Sequence, residues 1–207
     1  MMSTVTEERA RARVGRPRRI RADADERPAP EQILDAAAVL FAERGYAATS
    51  TRQIAERAGM RQATLYYHFD GKSQILAALL DQTVRPTIDQ LDRIRAIPDP
   101  EAALVALAEL DVRTLLEAPH RLAVLYASPE IAGSEFAGFH ADRALLRQAY
   151  VEAVARIGVV DDPAFIGRCC LQIVEAATEL GATGEADDAT PSRLAAVCLT
   201  LATSVAK

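Results

Sequence analysis

The tightest constraint on this chain lies between Thr49 and Leu80, where two very short helix-forming segments are separated by a single glycine. Ser50 with Gln53 three residues on forms the reciprocal capping pattern that opens a helix. Ile54, Ala55 and Ala58 give that helix one apolar face, and Gly59 can take the left-handed conformation that closes it. A second helix then carries Ala63, Thr64, Leu65, Tyr66, Tyr67, His68 and Phe69. Helices this short are unstable alone in water, so both require a support. The preceding segment, Glu31 to Arg44, supplies one, because Ile33, Leu34, Ala37, Leu40 and Phe41 recur at helical spacing. Gly45 closes that support helix, and Phe41 and Tyr46 read as packing residues. The arrangement is a helix-turn-helix whose second helix is shaped for the major groove of DNA.

Roles within the motif separate by face. Leu65 and Phe69 lie four apart and point inward, towards Ile54 and Ala58. The opposite face offers Arg61, Gln62, Thr64, Tyr67 and His68. Gln62 has the amide geometry to pair with adenine and Arg61 the fork to pair with guanine, while the hydroxyl of Thr64 can reach phosphate. Tyr66 and Tyr67 combine a flat apolar ring with a phosphate-reaching hydroxyl. Lys72 opens the following helix, where its side chain and the free backbone N–H groups both favour an anion. His68 has a plainer alternative, a helix-end histidine bonded to the backbone.

Ser50-Thr51-Arg52-Gln53-Ile54-Ala55, then Ala58-Gly59, then Thr64-Leu65-Tyr66-Tyr67-His68-Phe69 and Lys72 resemble the DNA-binding domain of tetracycline-repressor-type (TetR-family) regulators. The resemblance spans about residues 31–80. It implies DNA contacts at Arg52, at the positions from Thr64 to Lys72 and, with the face just described, a DNA-binding set of Thr51, Arg52, Arg61, Gln62, Thr64, Tyr66, Tyr67, His68 and Lys72. Two residues depart from the family pattern. Arg61 stands where members often have a capping serine, and Met60 replaces a small β-branched residue in the turn; together they leave the preferred DNA sequence unreadable.

A net charge of -5 would by itself argue against nucleic acid, but its distribution reverses that reading. Residues 1–30 carry net +3, residues 31–80 are neutral, and residues 81–207 carry net -8. An acidic body behind a basic front repels DNA everywhere except at the intended face. The front includes Arg9 to Arg21, with seven arginines and no acid. Lacking apolar periodicity, this arm is expected to be disordered when free. Gly15-Arg16-Pro17-Arg18 resembles the core of an AT-hook, so Arg16, Arg18 and Arg19 are candidates for a neighbouring minor groove. The alternative is a solvated tail that adds only unspecific phosphate attraction.

Half of the residues are hydrophobic but only 5% are aromatic, and alanine abounds, which points to an all-α chain. The expected organisation is an arginine-rich arm (1–28), a three-helix DNA-binding domain (29–80) and a helical effector-binding and dimerisation domain (81–207). Pro86 is expected to kink or break the connecting helix that starts at Lys72. Five further helices are expected beyond residue 100, marked by Leu104 to Leu115, by Leu122, Leu125 and Tyr126, by Ser134 to Ile157, by Ile166 to Leu180 and by Leu194 to Val205. The last two have wide apolar faces, including Ala177, that suggest burial against a second copy. The resemblance implies a two-fold four-helix interface there, and a dimer presents two recognition helices to a palindromic operator.

A stripe of Phe136, Phe139, Arg143, Leu146, Tyr150 and Val154, with His140 beside it, is the candidate ligand-binding surface, together with Tyr126. The plain alternatives are that Arg143 reaches out from the stripe's edge and that His140 satisfies a backbone carbonyl. Cys169, Cys170 and Cys198 form no disulfide framework and read as small packing residues. No HExxH, Cys-x-x-Cys or nucleophile-elbow pattern occurs, so no metal or cofactor is expected, and an enzyme built on His120 and His140 ranks last. With no apolar run long enough to span a bilayer and no secretory apolar core at the N-terminus, a cytoplasmic protein is expected. The preferred reading is a homodimeric repressor of double-stranded DNA released by a small-molecule effector. The competing one is a DNA-binding activator or architectural protein without an effector.

Overall fold

The computed structural model describes residues 27–118 and 129–204, and all regular structure among them is helical. Helix α1 (Ala29–Arg44) begins two residues ahead of the expected start because Pro30 suits a first turn, where its missing N–H is no loss. It ends at Gly45, which has φ +80°. Helices α2 (Thr51–Arg57) and α3 (Gln62–His68) pack against it and against each other. Ile33, Ile54 and Leu65 are fully buried where the three meet.

Helix α4 (Lys72–Asp81) packs on α1 with one face and on the 134–136 turn and helix α8 (Ala137–Ile157) with another. Ile75, Leu76, Leu79 and Leu80 have no exposed surface. The expected kink at Pro86 is a full break. Helix α4 ends at Asp81, the chain departs from helical angles at Val84 (φ -130°), and Pro86 falls in the first turn of α5 (Arg85–Ile88), followed by α6 (Leu91–Arg95). Proline has no N–H to give to a preceding turn, so it interrupts an old helix but fits the first turn of a new one, where that N–H would be unbonded in any case.

Helix α7 (Pro100–Glu117) is the centre of the larger part. It contacts α5, α6, α8, α9 (Pro163–Glu175), α10 (Ala177–Thr183) and α11 (Thr190–Thr203). Asp99 caps it by accepting from the Glu101 N–H at 3.1 Å. The helix expected from Ile166 to Leu180 is two helices, interrupted at Ala176, whose N–H lies within reach of both the Gln172 and Ile173 carbonyls. Ala177 is fully buried inside the protomer, which corrects its expected place on an outer apolar face. A short helix expected around Leu122 and Leu125, and Val205 at the end of the last expected helix, lie outside the described residues. Cys170 and Cys198 are buried between α9 and α11, each thiol directed at the other's carbonyl at 3.7 and 3.6 Å.

Candidate nucleic-acid interface

The turn between α2 and α3 is built from backbone hydrogen bonds that the sequence makes possible. Helix α2, which leads into it, opens with the Gln53 N–H donating to Ser50 Oγ at 3.3 Å and the Ser50 N–H donating to Gln53 Oε1 at 2.8 Å. At its end Gly59, at φ +70°, donates to the Glu56 carbonyl at 3.2 Å, and Met60 donates to the Ala55 carbonyl at 3.0 Å. This pair of bonds is the glycine-closed helix ending, and the Met60 side chain packs on the core behind it. Met60 therefore serves as packing. Arg61 precedes α3 in extended conformation with no side-chain cap, which leaves its guanidinium at the surface.

The face opposite Leu65 and Phe69 is open. Arg61, Gln62, Thr64, Tyr66 and Tyr67 are exposed, Tyr67 by 84% and Tyr66 by 49%, large values for aromatic rings on a packed helix. His68 is half-buried, its ring 5.0 Å edge-on from that of Tyr67. Residues 61–69 contain no acid. Arg52 is exposed and bonds Glu56 at 2.9 Å; an exposed pair of this kind is weak and easily exchanged for another anion. Thr51 lies between the helices, its Oγ1 3.1 Å from Tyr66 Oη and 3.3 Å from Gln62 Nε2.

Lys72 is placed differently from the other candidates. Its ammonium donates to the Tyr46 carbonyl at 2.6 Å and sits 4.2 Å from the centre of the Tyr46 ring. Burial holds its pKa below the usual lysine value. Tyr46 also packs 5.3 Å from Phe41, so the expected packing role of both aromatic residues holds. Arg16, Arg18 and Arg19 of the arm lie outside the described residues.

The ligand candidates divide. Tyr126 and His120 lie outside the described residues. Phe136 and Phe139 are almost wholly buried in the core. His140 Nε2 lies 2.7 Å from the Ile131 carbonyl, the plainer of its two expected roles. Arg143 pairs with Glu175 and, together with Thr83, Asp111, Leu146 and Leu171, lines a small cavity between the α4–α5 turn and helices α7, α8 and α9. Asp111 is the residue that sequence reasoning passed over. It is buried, accepts from Tyr150 Oη at 3.0 Å and Thr87 Oγ1 at 3.2 Å, and burial pushes its pKa up to about 7. The signal was there: Asp111 falls on the Leu104–Leu107–Ala108–Leu115 stripe of α7, where an acid is out of place.

Residues 33–79 match the family described as bacterial regulatory proteins, tetR family. Among solved structures, the crystal structure of Mycobacterium smegmatis AmtR is 32% identical, with TM-score 0.77, over 89% of this chain and 90% of that one. AibR, solved in complex with isovaleryl coenzyme A and operator DNA, is 22% identical with TM-score 0.65, covering 84% of this chain and 97% of that one, a likeness of fold. The HTH-type transcriptional repressor KstR2 of Rhodococcus jostii is 37% identical over 100 residues, 46% of this chain and 47% of that protein. The matched part thus spans about half the length of that curated relative.

Proposed function

This chain belongs to the TetR family of bacterial regulators, and we propose that it is a homodimeric repressor that leaves its DNA operator when a small molecule binds its larger helical part. The observation that carries the reading is the α3 face. An acid-free surface with two exposed tyrosines, a glutamine and an arginine stands on a helix held by a closed turn and a buried apolar seam. Such a face costs solvation of apolar rings unless a partner covers it, and its donors match base edges and phosphate. Description of KstR2 as a repressor supports repression, and the AibR complex supports an architecture with room for both effector and operator.

Residues 29–80 carry the DNA contacts in this reading, and residues 81–207 the effector and dimer contacts. Phe165 on α9 and Val197 on α11, exposed by 54% and 47%, favour a second copy against these helices, which would set two α3 helices on a palindrome. Effector and operator then oppose each other by linkage, since each favours a different state of one molecule. Among the described residues no helix is long and apolar enough to cross a membrane. The test is binding of the purified protein to the DNA upstream of its own gene and to a random duplex, across salt concentrations. A preference that survives salt supports a specific regulator. Equal, salt-sensitive binding to both duplexes would leave only unspecific phosphate attraction.

A further inference from the structure

We propose that Thr51 is a positioning residue that links phosphate seating by Tyr66 to base reading by Gln62. The proposal rests on the DNA-binding reading above. Thr51 is the first residue of α2, Gln62 the first of α3, and Tyr66 lies one turn further along α3. A single hydroxyl therefore bridges the two helices on their exposed face, with Tyr66 Oη at 3.1 Å on one side and Gln62 Nε2 at 3.3 Å on the other.

The consequence follows from proton counting. A phosphate oxygen accepts and never donates. When the one Tyr66 proton goes to phosphate, Tyr66 Oη can only accept from Thr51. Thr51 then spends its own single proton on Tyr66 and can only accept from Gln62. Gln62 must in turn direct its NH2 group, rather than its carbonyl, at Thr51. The second Gln62 N–H and Oε1 remain free, and these are the donor and acceptor that pair with adenine N7 and N6–H2 in the major groove. Without a phosphate the order can run the other way. Tyr66 donates to Thr51, Thr51 donates to Gln62, and the amide turns over at similar distances. Contact with the backbone thus removes a two-fold ambiguity in the side chain that reads the base. All three residues are at or near the surface, so the chain of bonds adds little to stability and acts through orientation.

The test uses the full-length protein and duplexes enriched by it from a randomised library. Gln62→Ala identifies the base pair that Gln62 reads. Thr51→Val and Tyr66→Phe are each expected to lower discrimination at that base pair about tenfold. Thr51→Ser, which keeps the hydroxyl, is expected to retain it. Melting temperatures are expected to be unchanged, and the Thr51→Val and Gln62→Ala losses at that base pair to be non-additive. Weakening of every duplex alike by Thr51→Val, with discrimination kept, would overturn the proposal and make Thr51 a backbone contact only. Unchanged base preference in Gln62→Ala would overturn it as well, since there would be no reading to position. Failure of the wild-type protein to enrich any duplex would instead remove the DNA-binding reading beneath it.

Discussion

The Lys72 ammonium lies between the Tyr46 carbonyl and the Tyr46 ring, and with Ala47 O at 3.4 Å it ties the start of α4 to the segment between α1 and α2. A charge on DNA must compete with those contacts, so Lys72 has a folding role that its place in the motif did not reveal. Replacing it with Met, which keeps the apolar stem, is expected to lower stability by about 1–2 kcal/mol in urea unfolding. An unchanged unfolding midpoint would return Lys72 to a surface phosphate ligand. Asp111 presents the opposite case, an acid in the core with two hydroxyl donors. Its pKa is about 7 in the folded protein against 3.8 for an ordinary aspartate. An acid with a raised folded pKa binds protons more tightly when folded. Its contribution is full below the unfolded value, declines across the interval and is gone above about 7. Asp111→Asn keeps shape and neutrality, because the Thr87 hydroxyl can accept from the new amide. The fall in urea midpoint from pH 5 to pH 7 should therefore be smaller in Asp111→Asn than in wild type; equal falls would show that Asp111 does not titrate there.

At the scale of elements, helix α9 lies against α8 closely enough to exclude a β-carbon at Gly167. An added methyl would meet the Val151 Cα at 2.7 Å and the Val151 N at 2.8 Å, both backbone atoms that cannot turn aside. Gly167→Ala is expected to cost about 1–3 kcal/mol, as overpacking of a closed interface does, and to shift α9 outward. Thermal unfolding checks the first expectation, and a stability equal to wild type would mean that the helices already have slack. The same element explains why the sequence read so well at one end and less well at the other. Ser50, Gln53 and Gly59 act within a few residues of each other, so the α2–α3 turn was legible from local chemistry alone. The break at Ala176 has no proline or glycine to announce it and depends on how α9 and α10 meet α7 and α11. Ala177, read as an outer position on a continuous helix, is an inner one.

Across the molecule, a single connected core runs from α1 through α4 into α7, α8 and α11, so the DNA-facing and larger parts share buried neighbours. Ile75, Leu76, Leu79 and Leu80 therefore belong to both, and in the proposed function they are the contact through which effector and operator would oppose each other. For the proposed dimer, Val197→Asp is expected to reduce dimerisation by at least tenfold in analytical ultracentrifugation, since it sets a charge in a desolvated apolar contact. A dimer of unchanged strength would place the interface elsewhere. The sequence by itself determined the all-helical class, the helix-turn-helix with its capping box and glycine ending, and the inward and outward faces of α3, because these depend on spacing and local hydrogen bonding. Only the tertiary structure decided that Phe136 and Phe139 close the core, that His140 is held by the Ile131 carbonyl, and that Asp111 meets Tyr150 and Arg143 meets Glu175. Those partners lie 9 to 39 residues apart along the chain, and no local pattern can pair groups that only helix packing brings together.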